Sequence, residues 1–356
     1  MGNKSIRNGL AVAALGLLTL AQPAQAEQFP SYYQGTRALG MGGAFTAVAD
    51  DSGALFYNPA GLRQLEGMSL DLINLEVETS KSTFDLVDDL EAAQGGTEAQ
   101  AADLIRANVG KHFRERINTT PNVATSRFGF AILGQATADG DFRNMQNPVV
   151  DLTAMVDVGA SASVAHSVGA NLDVGATGKY VRRKAVTKTF TALDIASSQF
   201  DPFDGMNGWE TDTAFDLGAM YHLRGLPFSP TVAATALNLT DLDFGPAGVI
   251  PASYNVGIAL HPKVGPLGLT LAADFVDVTK NLVGDEDPKK RTNLGAEVAL
   301  WDFLAVRAGV HQSYFSAGAT LNVWVLKLDL ATYAEELGAY GGQREDRRYI
   351  ARLDFF

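Results

Sequence analysis

The most regular feature of the chain is an alternation of apolar and polar residues that begins near residue 67. Met68, Leu70 and Leu72 alternate with Ser69 and Asp71. Because successive side chains of a β-strand point to opposite faces, a period of two predicts a strand with one apolar face. Alternating segments of about ten residues, separated by turn residues, are typical of strands that cross a membrane in a closed barrel.

The same alternation recurs almost to the end of the chain and predicts about fourteen strands. An even number of antiparallel strands brings both ends of a single-chain barrel to the same side of the membrane. The predicted fold class is therefore all-β, a transmembrane antiparallel β-barrel that occupies residues 67–356. The predicted strands are 67–80, 118–126, 128–139, 149–166, 170–188, 210–223, 229–242, 252–262, 267–279, 291–301, 303–311, 314–325, 326–335 and 347–356.

The lengths of the connections support a barrel. Connections after odd-numbered strands are mostly long, as at 189–209 and 280–290, with Gln312-Ser313 as the exception. Connections after even-numbered strands are short, as at 167–169. Outer-membrane barrels have long external loops and short periplasmic turns, so this sorting predicts which end of the barrel is external.

Residues 84–113 interrupt the alternation. Leu86, Leu90, Leu104 and Val109 recur at a spacing that is compatible with a helix, in a stretch rich in alanine and charged residues. We therefore predict a helical insertion on the external side, folded as a structured loop or as a lid over the mouth of the barrel.

Residues 1–26 have the features of a signal peptide for export. Lys4 and Arg7 precede an apolar stretch at 10–21 that is too short to cross a bilayer as a helix. Ala24-Gln25-Ala26 matches an A-x-A cleavage signal, so the mature chain is expected to begin at Glu27. The next segment, residues 27–66, is rich in glycine and other small residues and is predicted to be compact and irregular.

Composition and motifs exclude several classes of protein. Forty acidic residues against 28 basic residues argue against a nucleic-acid partner, which requires a positive surface. The chain has no cysteine, and its five histidines lack metal-ligand spacing. Neither a G-x-S-x-G elbow nor a zinc-protease or P-loop motif is present. We therefore expect no enzymatic activity, no cofactor and no metal.

Several stretches near the two ends of the chain resemble a known family. They are Gly40–Phe45, Ala49-Asp50-Asp51, Asn58-Pro59-Ala60-Gly61-Leu62, Pro121-Asn122-Val123-Ala124 and a C-terminal run from Leu294 to Gly318. These stretches are similar to the long-chain fatty-acid transporter FadL family and its relatives, which include PorV-like barrels of a secretion system and exported TraF-like barrels of conjugal transfer. The resemblance implies a barrel of about fourteen strands whose N-terminal segment folds inside as a hatch. In the transporters, hydrophobic molecules enter from outside, lodge in an apolar pocket and leave sideways at an inward kink of a strand.

The resemblance makes residues 27–66 a candidate hatch and names its candidate residues. Pro59 favours an extended conformation at Asn58, and the Asn58 side chain can hydrogen-bond nearby backbone in a turn. The motif is therefore either a structural turn from the hatch into the wall or a functional gate. The hatch or gate candidates are Gly40, Gly42, Gly43, Asp50, Asp51, Asn58, Pro59, Ala60 and Gly61.

These features predict a barrel in the outer membrane of a Gram-negative bacterium. The leading hypothesis is passive uptake of small hydrophobic molecules, such as fatty acids or aromatics, through a plugged lumen. The alternative is a barrel that docks protein partners for secretion or conjugation; a general diffusion porin is a third class, against which the hatch argues. Expected partners are membrane lipid and lipopolysaccharide, and the barrel assembly machinery, for which Phe356 is the predicted C-terminal signal.

Overall fold

The computed structural model describes residues 31–84, 86, 96–197, 201, 203–265, 267–282, 287–301 and 303–355. The predicted signal peptide and the predicted assembly signal Phe356 lie outside these residues. Within the described part of the chain, fourteen antiparallel strands form one closed barrel, as the alternation predicts.

The strands follow one another around the barrel in sequence order, each hydrogen-bonded to the next. Strand β14 pairs with β1, with Tyr349 opposite Thr79, and this pairing closes the barrel. The strands are β1 (Met68–Asp71 and Ile73–Ser80), β2 (His112–Thr119 and Asn122–Thr125), β3 (Phe128–Arg143), β4 (Val149–Val168), β5 (Leu172–Thr191), β6 (Glu210–His222), β7 (Thr231–Leu237), β8 (Ser253–Leu260), β9 (Leu267–Phe275), β10 (Thr292–Leu300), β11 (Leu304–His311), β12 (Tyr314–Val323), β13 (Leu326–Glu336) and β14 (Glu345–Phe355).

Strand β2 begins earlier than predicted. The helical insertion was expected to extend to residue 113 and the strand to begin at 118, whereas the strand begins at His112. Here the inward positions are His112, Arg114 and Arg116, and the outward set includes Glu115. Because both faces carry polar residues, the apolar–polar alternation is absent and the strand cannot be recognised from its pattern.

The described helices are distributed between the lumen and one end of the barrel. Connections after odd-numbered strands contain α3 to α6 and a hairpin of Leu242–Asp243 with Val249–Ile250, whereas the β2–β3 and β12–β13 connections are only 126–127 and 324–325. The end with the long connections is the external end. The helices are α1 (Thr36–Gly40), α2 (Ala54–Tyr57), α3 (Lys81–Phe84), α4 (Glu98–Asn108), α5 (Ala192–Ala196) and α6 (Pro288–Arg291), with a 3-10 helix at Pro59–Gln64.

The outward face of the barrel is apolar and is bounded by aromatic side chains at both ends. Between the ends lie exposed aliphatic residues such as Val77, Ile132 and Leu217. An apolar band between two aromatic girdles is the surface that a barrel presents to lipid. The exposed aromatic residues include Tyr180, Phe215, Tyr254, Phe315 and Tyr349 toward the external end, and Phe128, Tyr221, Phe228, Trp301, Phe303, Trp324 and Phe355 toward the periplasmic end.

None of the described helices is both long enough and apolar enough to cross a membrane.

Strands β4 and β5 extend well beyond the membrane on the external side. Each has 20 residues, about twice the 9–11 residues that a tilted strand needs to cross the hydrocarbon. Leu104 and Ile105 of α4 form a buried cluster with Phe142, Leu152 and Phe190 of the strands. These strand residues face outward, so α4 covers the outside of the extension and lines no part of the cavity at the mouth. The structure thus differs from the predicted lid, because the apolar face of α4 is buried against the wall.

Candidate functional site in the barrel lumen

Residues 31–65, called the lumenal segment below, lie inside the barrel. Met41, Phe45 and Leu62 of this segment are at most 1% exposed. They belong to one buried cluster with inward residues of the wall such as Leu133 and Met220. Burial of apolar surface is the main force that holds a segment of so little regular structure in place.

Inward-facing glycines of the wall receive the lumenal segment. A Cβ atom at Gly175 would lie 2.4 Å from the carbonyl carbon of Pro59, and one at Gly218 would lie 2.1 Å from Oδ1 of Asn58. Real Cβ atoms do not approach other atoms so closely, so the side chain must be absent. The wall glycines that touch the segment are Gly129, Gly159, Gly175, Gly218, Gly257, Gly295, Gly309 and Gly318, and each belongs to a different strand.

Asn58 folds the lumenal segment onto itself. Its Nδ2 atom donates to the carbonyl oxygen of Thr46 at 2.8 Å. Its Oδ1 atom accepts the backbone N–H of Ala60 at 3.1 Å, which caps the 3-10 helix that begins at Pro59. Both ends of this fully buried amide therefore have partners within the segment. Gly61 completes the contact, because a Cβ there would lie 1.9 Å from the carbonyl oxygen of Ala49.

Arg37 ties the lumenal segment together and joins it to the wall. Its guanidinium donates to Asp50 at 2.5 Å and to Asp51 at 2.7 Å. It also donates to Glu297 of β10 at 2.7 Å, and Glu297 accepts a further hydrogen bond from Arg307 of β11. Burial acts to raise the pKa of Asp51, but the positive charges of Arg37 and Lys327 outweigh it and lower this pKa to about 2. Asp51 is therefore ionised and paired at neutral pH.

A second anchor joins the segment to β9. The buried carboxylate of Asp274 accepts the backbone N–H groups of Phe45 and Thr46 at 2.8 and 2.7 Å. Just before these residues, Gly42 and Gly43 have φ angles of 67° and 79°, which glycine adopts without strain. The resulting turn lets the backbone approach β10 and β11 closely.

A cavity of about 790 Å³ lies at the external end of the barrel, bordered at its base by Ser31. We call it the external chamber. The inward side chains of β3 to β5 give it a polar wall, and the β7–β8 and β13–β14 connections add apolar residues. The threonines of the polar wall are Thr137, Thr153, Thr187 and Thr189, and the apolar residues include Pro246, Ala247, Val249, Ile250, Leu337 and Ala339. The chamber is thus amphipathic.

The charges in the external chamber are paired. Arg114 donates to Asp139 at 2.7 Å, and Arg344 donates to Asp141 at 2.5 Å. Beneath the lumenal segment, a smaller cavity of about 40 Å³ is lined by charged residues of β13 and β14 that include Lys327 and Arg352. The lumenal segment therefore occupies the barrel between the amphipathic external chamber and a charged periplasmic end.

The candidates predicted from the sequence lie together in the lumenal segment. Asp50 and Asp51 meet at Arg37, and the remaining candidates make the close contacts with the wall or within the segment. Their role as a hatch or gate stays a prediction. Among the described residues, no group of histidine and acidic side chains is arranged to hold a metal ion.

Three features of the site were missed in the sequence. Arg37 was not singled out, because it lies just before the family-like stretch that begins at Gly40 and its partner Glu297 is 260 residues away. Asp274 carries no motif. The wall glycines could have been noticed in the sequence, because they recur at inward positions of many strands. Their pattern alone does not show which residues they contact.

Comparisons with known proteins bear on the fold. No protein-family model matches the chain, and the search of curated proteins found no match. The toluene transporter TbuX of Ralstonia pickettii is similar in structure, with a TM-score of 0.54 and 13% identity over 90% of this chain and 98% of that chain. The toluene transporter TodX of Pseudomonas putida has a TM-score of 0.51 and 11% identity over 93% and 99%. The barrel has the fold of these two transporters.

A FadL homologue of Pseudomonas aeruginosa also matches 92% of this chain and 99% of its own, at 13% identity, but its TM-score of 0.46 adds nothing to that conclusion. The barrel of about fourteen strands that the resemblance to FadL implied is confirmed, whereas the hatch stays a prediction. The likeness to PorV-like and TraF-like barrels stays a prediction. At such low identities a shared fold does not by itself specify a substrate.

Proposed function

We propose that this protein resides in the outer membrane of a Gram-negative bacterium and mediates passive uptake of small hydrophobic molecules. The observation that carries the proposal is the lumenal segment, which fills the barrel beneath an amphipathic external chamber. A wide barrel with a polar, unobstructed lumen would conduct ions and small solutes through water. With the lumen occupied, a molecule crosses only if it binds in the chamber and then moves past the segment.

The external chamber suits a ligand with an apolar body. Its volume of about 790 Å³ lies within the range of small-molecule sites. Val249, Ile250 and Leu337 offer apolar contacts, while the threonines on β3 to β5 can satisfy a polar group. Because the arginines and carboxylates of the lining are already paired, a small hydrophobic molecule does not have to compensate an isolated charge. TbuX and TodX, which share the fold, are toluene transporters, so toluene is the first substrate to test.

A charge in the apolar part of the chamber should reduce uptake. In cells that express the protein, Val249→Glu is expected to lower protein-dependent accumulation of radiolabelled toluene several-fold, because a carboxylate disfavours an apolar body. Val278→Glu is the matched control, since Val249 and Val278 are both 45% exposed and only Val249 lines the chamber. Equal accumulation by the two variants, at equal amounts of folded barrel, would contradict the proposal.

One observation favours the docking function instead. The external halves of β3 to β5, covered by α4 and α5, form an ordered surface that rises beyond the membrane. Native mass spectrometry of the barrel purified in mild detergent discriminates the two functions. A bound apolar molecule that is lost when the lumenal segment is deleted supports uptake. A ligand-free barrel with a stoichiometric protein partner supports docking.

A further inference from the structure

The outward face of β5 carries basic side chains at an unusual place. Arg182 and Lys184 point away from the lumen, because the inward positions of this strand are the alternate ones, such as Arg183. The indole of Trp209 lies against both cations: its ring centre is 5.1 Å from Cζ of Arg182 and 4.8 Å from Nζ of Lys184. Contacts of this kind fix the position of a cation at the surface.

Neither cation has a carboxylate partner in the described part of the chain. Across the residues that the structure describes, no carboxylate lies within 4 Å of Arg182 or Lys184, although acidic residues exceed basic ones in the chain as a whole. By contrast, the inward neighbour Arg183 is paired with Asp157 at 2.7 Å. Two positive charges thus remain available on the outer surface of an acidic protein.

The position of the cations along β5 corresponds to the external boundary of the membrane. β5 starts at Leu172, so Arg182 lies at the end of the 9–11 residues that cross the hydrocarbon. The exposed aromatic residues Tyr180 and Phe215 of the external girdle lie just below it. The two charges are therefore at the level of lipid headgroups.

The neighbours of the cations on β4 are apolar, whereas Thr211 of β6 lies opposite Arg182. On β4, Val158 is opposite Arg182 and Val156 is opposite Lys184. Val158 is exposed and belongs to the outward band. An occupant of this surface must therefore present acidic groups at the level of Arg182 and Lys184 and hydrocarbon directly below them. A free anion would provide the acidic groups but not the hydrocarbon.

We propose that this surface binds the phosphorylated glycolipid of the external leaflet, lipopolysaccharide, with Arg182 and Lys184 contacting its lipid A phosphates and its acyl chains lying along Val158, Tyr180 and Phe215. Guanidinium and ammonium groups form strong charge-assisted hydrogen bonds with phosphate oxygens. The proposal depends on the outer-membrane location but not on whether the barrel transports or docks a partner.

The test compares lipid binding by native mass spectrometry of the full-length mature barrel in mild detergent. The probe is bisphosphorylated lipid A, and the variant is Arg182→Gln combined with Lys184→Gln. The control is Lys81→Gln with Lys111→Gln, which removes two exposed cations of the β1–β2 connection on the same side of the membrane. Outward polar substitutions should leave the barrel folded, which is checked by the mobility of unheated and heated samples in electrophoresis.

The bound fraction of lipid A is expected to fall by about tenfold in the Arg182/Lys184 variant and to stay unchanged in the control. Lipid A from which the phosphates have been removed should bind the wild-type protein as weakly as intact lipid A binds the variant. Undiminished binding by the variant, or equal binding of the dephosphorylated lipid, overturns the proposal. Displacement of lipid A by millimolar inorganic phosphate also overturns it, because the site would then recognise a free anion.

Discussion

At Gly218 the barrel wall and Asn58 approach so closely that a methyl group would overlap Oδ1 of the asparagine at 2.1 Å. Gly218→Ala should therefore displace the Asn58–Gly61 turn and reduce the local stability of the lumenal segment by about 1–3 kcal/mol, the usual cost of overpacking. Amide hydrogen exchange at residues 60–62 measures this change. Gly178→Ala is the control, because a Cβ atom at Gly178 would lie 3.8 Å from its nearest neighbour, the ring of Phe215. Equal protection in the two variants would show that the contact at Gly218 does not hold the lumenal segment in place.

The hydrogen bonds of Arg37 predict how the segment responds to pH. The pKa of Asp51 is lowered to about 2 in the folded protein from an ordinary value of 3.8, so its contribution to stability is present above about pH 4 and is lost as the pH falls through 2. Exchange protection of residues 36–57, corrected for intrinsic rates, should therefore persist from pH 7 to pH 4. In Arg37→Gln the carboxylate loses its main counter-charge, so the stability that the ionised Asp51 contributes is lost and protection should be lower than in the wild type already at pH 7.

The matched control for Arg37 is Arg106→Gln, which removes an exposed ion pair with Asp103 at 2.9 Å. Exposed pairs of this kind contribute little to stability, about 0–1 kcal/mol. If Arg37→Gln and Arg106→Gln give the same pH profile at residues 36–57, Arg37 does not hold the segment in place.

Among the elements, α4 is a short helix whose stability depends on its packing against the barrel wall. Its 11 residues begin with a capping box of Thr97 and Gln100, but a helix of this length is marginal in water. Ile105 is fully buried in the cluster with the outward residues of β3 to β5. Ile105→Ala should therefore reduce the local stability of this cover by about 2–5 kcal/mol.

Limited proteolysis of the β1–β2 connection measures the loss of α4. Leu193→Ala on α5 is the control, because Leu193 is 63% exposed and should change little. Uptake of toluene should be the same in both variants, since α4 lines no part of the external chamber. A fall in uptake with Ile105→Ala alone would indicate that α4 acts as the lid expected from the sequence.

For the molecule as a whole, the occupied lumen predicts low conductance. In planar bilayers the intact barrel should show no stable current steps, whereas deletion of residues 31–65 should open a path lined by charged side chains such as Glu76, Arg116 and Arg352. Deletion of residues 98–108 should leave the current unchanged, because α4 lies outside the wall. Large steps in the intact protein would favour a general diffusion porin.

The strands of the barrel wall could largely be predicted from the sequence, whereas the contacts of the lumenal segment could not. The bounds of β6, predicted at 210–223 and observed at Glu210–His222, were recovered because lipid on one side and a polar lumen on the other impose a period of two. The start of β2 was missed because His112 and Arg114 face a charged lumen while Glu115 lies on the outer face, so no alternation results.

The sequence by itself determined the strand order, the closed barrel and its external end, since these depend on local alternation and on the lengths of connections. Only the tertiary structure decided what fills the lumen and what holds it there. Arg37 and Glu297 are 260 residues apart, and Asn58 meets Gly218 only when the wall curves around the segment. Such contacts depend on the closed geometry of the whole barrel, and a single sequence contains no local pattern that specifies them.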